Sequence, residues 1–350
     1  MIKKLLVIRF SALGDVALTV PVVAGLAVRH PEIEITVLSR TFCKPLFEKL
    51  PDNVKFMGAD LKGRHAGFRG LLRLFGELSG CGFDAVADLH DVLRTKLLRL
   101  LFGMRGVKTA CIDKGRSERK KLVSCGWEKS APLVPVTERY RDVLRRLGLD
   151  AGMDFVSIFG DGKGEINGIL DKLGCERGEG RMIGIAPFAA HAGKCFPVNL
   201  WEGVIKDAAA RYGKPLKIFM FGAGASEKKI LEDLERVLPD SVSVAGKLSL
   251  GEELALISNL DWMISMDSAN MHLASLVNVP VISVWGATHP YSGFMGWRQS
   301  ADNAVQVPLP CRPCSIYGNK KCRLETPYAC LTNLSGRLSD KIAECLSSGG

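Results

Sequence analysis

KKLLVIRFSALGDVALTVP, residues 3–21, decides how the rest of the chain is read. Its first part is short, apolar and nearly continuous, the pattern of a strand buried on both faces of a parallel sheet. A helical pattern follows from about Gly14 to Arg29. Leu13, Val16, Ala17, Val20, Val23, Ala24 and Ala27 recur at three- and four-residue spacing. Pro21 lies inside this run and predicts a kink or an early end. The strand therefore runs straight into Gly14-Asp15 at a helix mouth. An acid there has two readings. One is an ordinary helix start, since Asp is favoured in a first turn. The other is a catalytic carboxylate at the carboxyl edge of a sheet.

Moving outward, strand and helix keep alternating. EIEITVLSR, VKFMGAD and FDAVADLH read as strands, with HAGFRGLLRLFGELSG as a helix before the last. A stretch rich in glycine and charge, about Asp154 to Gly180, reads as a connection. The rhythm then restarts with RMIGIAP, PLKIFMFG, SVSVAG, DWMISMD and VPVISVWG as strands, separated by helical segments. This predicts an α/β protein of two Rossmann-like, doubly wound domains facing each other across a cleft. The expected boundaries are 1–160 and 181–332. A last helix within 333–350 is expected to pack back on the first domain. In open parallel sheets ligands bind beyond the carboxyl ends of the strands. The loops after LLVIRF, GIAP, IFMFG, WMISMD and ISVWG are the ones to inspect.

The bulk numbers agree with a folded, two-domain chain. It has 350 residues, 47% hydrophobic and 24% charged, which argues against disorder. No apolar run reaches the roughly 20 residues that span a bilayer. The N-terminal apolar run is interrupted by Arg9 and lacks a small-residue cleavage site, so it does not read as a signal peptide. A cytoplasmic protein is expected. Net charge is +10, and ten basic residues against two acids lie between Arg94 and Lys121. Such a field concentrates an anionic partner. A solvated helix face with a basic loop is the plainer alternative.

Several loops carry residues suited to chemistry. Gly222 and Gly224 stand in IFMFGAGASEKK without the third glycine of a dinucleotide fingerprint. Glu227 could bond ribose hydroxyls there, or simply serve the helix start. Asp267 ends a strand, and Ser268 and Ala269 open the next helix, whose backbone N–H groups suit an anion. His272 lies on the same helix. Lys194, in a loop of small residues, could neutralise a pyrophosphate. Asp15 could act as a general base towards a hydroxyl.

These separated motifs, in this order, resemble glycosyltransferase family 9, the ADP-heptose:lipopolysaccharide heptosyltransferases. LLVIRFSALGDVALTVPVVAGL resembles the N-terminal signature with its Gly-Asp pair. ADLHDVLRTKLL resembles an acceptor-domain segment. GKCFPVNLW resembles a Lys-x-aromatic-Pro element, with Phe196 where Trp is usual. SMDSANMHLASLVNVPVISVWGATHP resembles the donor signature, with Ala269 in place of the usual Gly and Asn270 also unusual. The resemblance implies a GT-B fold and inverting transfer of a heptose from ADP-L-glycero-D-manno-heptose to a lipopolysaccharide inner-core acceptor. It implies Asp15 as base, Lys194 on the donor phosphates, Glu227 on the ribose, and Asp267, Ser268, Ala269 and His272 around the donor. The anionic acceptor would engage Gly14, Arg94, Lys114, Arg116, Arg119 and Lys120. The same charges would attach the protein peripherally to the inner membrane surface. Neither nucleic acid nor a protein partner is implied.

No Asp-x-Asp metal pair stands at these loops, so no obligatory metal is expected, with Mg²⁺ on the diphosphate left open. Of eleven cysteines, Cys311, Cys314, Cys322 and Cys330 crowd the end as C-x2-C-x7-C-x7-C. That pattern is compatible with a structural Zn²⁺, and equally with free thiols or disulfides formed on oxidation. Two other functions compete with transfer. One is a GT-B-type nucleotide-sugar epimerase, which needs no acceptor. The other is a non-catalytic relative that binds anionic glycan.

Overall fold

In the computed structural model, which describes residues 1–348, the chain divides into two units. The first comprises Met1–Lys114 and Val134–Ile158, the second Gly115–Leu133 and the described residues from Phe159 on.

The first unit is built on β1 (Lys4–Ile8), whose Leu5, Leu6, Val7 and Ile8 are almost fully buried. Burial on both faces is what a central parallel strand requires. The predicted helix after it is two helices, α1 (Leu13–Ala17) and α2 (Val20–Arg29). The Thr19 hydroxyl donates to the Val16 carbonyl at 2.6 Å where the first ends. Pro21 takes the second position of α2, where its missing N–H costs nothing. There follow β2 (Glu34–Arg40), β3 (Val54–Ala59), α3 (Gly67–Ser79), β4 (Ala85–Asp88), α4 (Leu93–Met104) and β5 (Lys108–Cys111). All five strands are parallel, in the order β3-β2-β1-β4-β5. Leu71, Leu74 and Leu78 of α3, and Leu98 and Phe102 of α4, share one core with Leu6, Ile8 and Val86 of the sheet.

The chain leaves this unit at Gly115. Helix α5 (Arg116–Cys125) and the loop to Leu133 belong to the second unit; α6 (Val136–Arg146) returns to the first. This excursion has no counterpart in the strand–helix alternation read from the sequence. It is tied down by long-range contacts instead. The Trp127 N–H donates to the Arg312 carbonyl at 3.1 Å and the Leu133 N–H to the Tyr291 carbonyl at 2.8 Å. The Trp127 ring stacks on His289 with centroids 5.3 Å apart.

The second unit continues with α7 (Asn167–Leu173), β6 (Arg181–Ala186), α8 (Trp201–Tyr212), β7 (Leu216–Met220), α9 (Gly224–Val237) and β8 (Ser241–Ser243). Then come α10 (Leu250–Ile257), β9 (Trp262–Met266), α11 (Ala269–Leu276), β10 (Val281–Trp285) and β11 (Ala304–Gln306). The six strands are again parallel, in the order β11-β10-β9-β6-β7-β8. Helix α12 (Ala329–Thr332) precedes α13 (Ser335–Ser347). The terminal helix α13 packs on α8 and is part of the second unit, not an element returned to the first. Its Leu338, Ile342, Cys345 and Leu346 join Trp201 and Ile205 of α8 in the core. Among the described residues, no helix is long and apolar enough to cross a membrane.

Candidate active site

At the carboxyl edge of the first sheet, Asp15 is the third residue of α1. Its Oδ2 accepts the Ala12 N–H at 3.2 Å and meets Arg9 Nη2 at 2.6 Å. Arg9 follows directly on β1 and is the inner member of the pair. Its side chain is 10% exposed, against 25% for Asp15. Burial works against the Arg9 charge, but Tyr140, Asp15 and Asp88 outweigh it and hold it on. Arg9 Nη1 also donates to the Leu89 carbonyl at 2.6 Å. The Tyr140 hydroxyl, from α6, donates to the Asp15 carbonyl at 3.2 Å. The carboxylate is thus fixed from behind and keeps an open side.

His90 lines the same edge, with Nε2 3.4 Å from the Ser11 hydroxyl. Burial, then the positive charges of Arg9 and Lys114, push its pKa down to about 4, so the ring is neutral at pH 7. Beneath it, fully buried Asp88 accepts the N–H groups of His90 and Asp91, each at 2.9 Å, and pairs with Arg99 at 3.0 Å. Lys114 Nζ donates to the Asp91 carbonyl at 2.9 Å.

At the carboxyl edge of the second sheet the arrangement is inverted. Asp267, just past β9, is buried. Its Oδ2 accepts the Thr288 hydroxyl at 2.8 Å and meets Lys194 Nζ at 2.9 Å. Lys194 sits in a short 3-10 turn, Ala192–Lys194. That turn is bound to the loop after β10, where the Ala287 N–H donates to the Gly193 carbonyl at 2.7 Å. Ser268 caps α11 by position, its hydroxyl 3.3 Å from that of Ser265. Ala269 is the first helical residue, and His272 is buried one turn on.

The cysteine-rich segment braces this edge. Arg312 is 1% exposed. Its guanidinium donates to the carbonyls of Gly286 (2.5 Å), Val307 (2.7 Å), Thr288 (2.8 Å) and Trp285 (3.1 Å). The Cys314 N–H donates to the Ala287 carbonyl at 3.1 Å. Gly318 has φ +73°, and a Cβ there would lie 2.4 Å from Lys194 Cγ. Only glycine leaves room for the lysine stem.

Residues 71–325 match the model of glycosyltransferase family 9 (heptosyltransferase). The chain belongs to that family. It is 28% identical over 311 residues to lipopolysaccharide heptosyltransferase 3 of Escherichia coli strain K12, covering 84% of each chain. The crystal structure of a glycosyl transferase family 9 protein from Veillonella parvula superposes with a TM-score of 0.72 at 20% identity, over 99% of this chain and 97% of that one. The E. coli ADP-heptose lps heptosyltransferase II structure gives 0.70 at 18% identity, over 98% of both. The two parallel sheets are the Rossmann-like units of a GT-B fold, and this family 9 member is a glycosyltransferase.

Of the residues singled out by sequence, Asp15 stands alone with new partners in the first unit, while Lys194, Asp267, Ser268 and Ala269 share one edge of the second. Gly14 is buried within α1. Glu227 lies in the first turn of α9, where its Oε2 accepts the Ala223 N–H at 2.7 Å, the work of a helix start. The basic set is divided: Arg94 and Lys114 belong to the first unit, Arg116, Arg119 and Lys120 to the second. Arg119 donates to the Tyr317 hydroxyl at 2.7 Å and lies over Phe294.

The four terminal cysteines lie near enough for the charges of Cys314, Cys311 and Cys322 to act on Cys330. Among the described residues no group of three or more His, Cys, Asp or Glu is arranged to hold a metal ion. Cys330 is part of the apolar core, where burial pushes its thiol up to about 11, while Cys311 is exposed. Sequence reasoning missed Arg9, His90, Tyr140, Thr288 and Arg312. Arg9 had a visible signal, a lone arginine closing an apolar strand. The others act through folding contacts that no local pattern announces.

Proposed function

We propose that this family 9 enzyme transfers a heptose from ADP-L-glycero-D-manno-heptose to a lipopolysaccharide inner-core acceptor, with inversion. The observation that carries this reading is the open carboxylate of Asp15, backed by buried Arg9 at the edge of the first sheet. The name of the E. coli relative and the ADP-heptose of the structural relative support the acceptor and donor classes.

Asp15 takes the proton of the acceptor hydroxyl as that oxygen attacks the anomeric carbon. Arg9, paired with it at 2.6 Å, keeps the carboxylate aimed. The bond from the anomeric carbon to the diphosphate breaks on the opposite face. Negative charge then grows on the leaving phosphate oxygen, where Lys194 and the backbone N–H groups at the start of α11 stabilise it. Asp267 and Thr288 orient the lysine for that role. Glu227 would turn from the Ala223 N–H to the ribose hydroxyls. No resident metal is assigned a step; Mg²⁺ would travel with the diphosphate. The protein would work on the cytoplasmic face of the inner membrane.

The test is ADP release from ADP-heptose with a truncated lipopolysaccharide acceptor. Release is expected only with acceptor present, and Asp15→Ala is expected to abolish it while donor binding persists. Full activity in that variant would remove Asp15 from its role. Release without acceptor would favour an epimerase-like or hydrolytic reaction, and no release with any ADP- or UDP-sugar a binding protein.

A further inference from the structure

The outer face of the helical layer formed by α3 and α4 is apolar where solvent should be. Both helices join strands that step the same way across the sheet, which places them on the same face for right-handed connections. Their inner sides share one core. On the outer side, Leu93 is 86% exposed, Met104 76%, Phe68 64%, Leu100 60% and Leu72 41%. On α4, the exposed Leu93, Leu100 and Met104 follow helical spacing, so they form one stripe, with Leu97 between them partly buried against the core. Helices of folded proteins point such a stripe inward; here a second stripe points out. Phe75, half-buried, sits between the helices with its ring 5.0 Å from Phe102 and under the Arg105 guanidinium at 4.9 Å.

The charges around this stripe have one sign. Arg69 and Arg73 are exposed on α3, Lys96 on α4 and Arg105 just beyond it. The single acid on either helix is Glu77, and it is already paired with Arg64 at 2.6 Å and with His65. We propose that this face is a docking surface for an anionic lipid bilayer, the apolar residues entering the headgroup boundary and the arginines and lysine meeting lipid phosphates. The proposal deepens the reading of a lipid-linked acceptor and rests on it. It also moves membrane attachment away from the run 94–121 as a whole. A second copy of this chain is a poorer occupant. A two-fold contact would set Arg69, Arg73 and Arg105 against like charges, and Asp91, the acid near this set, is already beside Lys96 at 3.8 Å. Orientation agrees as well. Leu93 opens α4 at the same sheet edge as His90 and Asp15, so a bilayer on this face would present a lipid-anchored sugar close to the base.

Vesicle flotation of the full-length protein tests this without donor or acceptor. Vesicles of equal parts phosphatidylglycerol and phosphatidylcholine are compared with pure phosphatidylcholine. Binding is expected on the anionic vesicles and to weaken with salt. Arg69→Gln with Arg73→Gln should weaken partition about 25-fold, roughly five-fold per charge. Leu100→Ser with Met104→Ser should weaken it at least about ten-fold. Val237→Ser, an apolar site on α9 that is 41% exposed, should change nothing. All four substituted positions of the double variants are solvent-exposed, and unchanged thermal melts verify folding. Equal binding to both vesicle types, or variants that float like the parent, would overturn the proposal. So would a dimer in solution that dissolves on Leu100 and Met104 substitution. Transfer to a water-soluble acceptor is read separately and should persist in every variant. Its absence in the parent protein would sink the proposed reaction while leaving the flotation result to stand or fall by itself.

Discussion

The two sheet edges carry the same pair of charges turned opposite ways. After β1 the cation is inside and the acid outside, with Arg9 10% and Asp15 25% exposed. After β9 the acid is inside and the cation outside, with Asp267 6% and Lys194 17% exposed. In each case the buried member is held by further hydrogen bonds, Arg9 by the Leu89 carbonyl and Asp267 by the Thr288 hydroxyl. A buried charge needs such partners, because desolvation is expensive. The member left more exposed is Asp15 at one edge and Lys194 at the other, the two residues to which the proposed reaction gives the proton acceptor and the phosphate contact.

The sharpest way to break this comparison is Asp15→Asn. It keeps the shape and removes the base, so kcat should fall up to about 10⁴-fold with donor affinity kept. Next in size is Arg312→Met. It leaves four inward carbonyls without their donor, and a loss of about 3–5 kcal/mol in unfolding free energy is expected from a denaturant titration. The first edge should be untouched in that variant, so acceptor binding outlasting donor binding would confirm that only one edge was braced. Lys194→Met should lower kcat about 10²–10³-fold, seen in ADP release. A loss in KM alone would show that the lysine only binds donor.

The smallest effect is in pH. His90 and His289 are each held neutral, with pKa values near 4 against an ordinary 6.5. The causes are burial with Arg9 and Lys114 for the first, and burial with Arg312 for the second. Their contribution to stability is thus fully present above about pH 6.5 and is lost as pH falls towards 4. Up to about 3 kcal/mol per ring is at stake. Melting temperature should drop across that window, and His90→Gln or His289→Gln should flatten the drop. An equal drop in both variants would assign the acid sensitivity elsewhere.

Much of the architecture was legible because parallel α/β units write themselves in local periodicity. The strands at 4–8, 181–186, 262–266 and 281–285 are short runs buried on both faces, and nothing but sheet interior suits them. Pro21 marked where the first helix had to break. The excursion 115–133 was not legible. Its place depends on Trp127 finding His289 and on backbone bonds to Arg312 and Tyr291, partners more than 150 residues away along the chain. The burial of the cysteines was not legible for a related reason. Spacing fixes how far thiols are apart along the chain, not which of them the core will swallow, and Cys330 went inside.

By itself the sequence determined two parallel α/β units and the candidate chemistry at their loops, Asp15 after the first strand, Lys194 and Asp267 later on. These follow from apolar runs and helix starts, which are local and physically cheap to read. Tertiary structure alone decided which charge of each pair faces outward, that Arg9 and Arg312 sit inside as braces, and that α3 and α4 leave an apolar face in solvent. Those outcomes depend on burial, and burial is a property of the packed whole that no short stretch of chain contains.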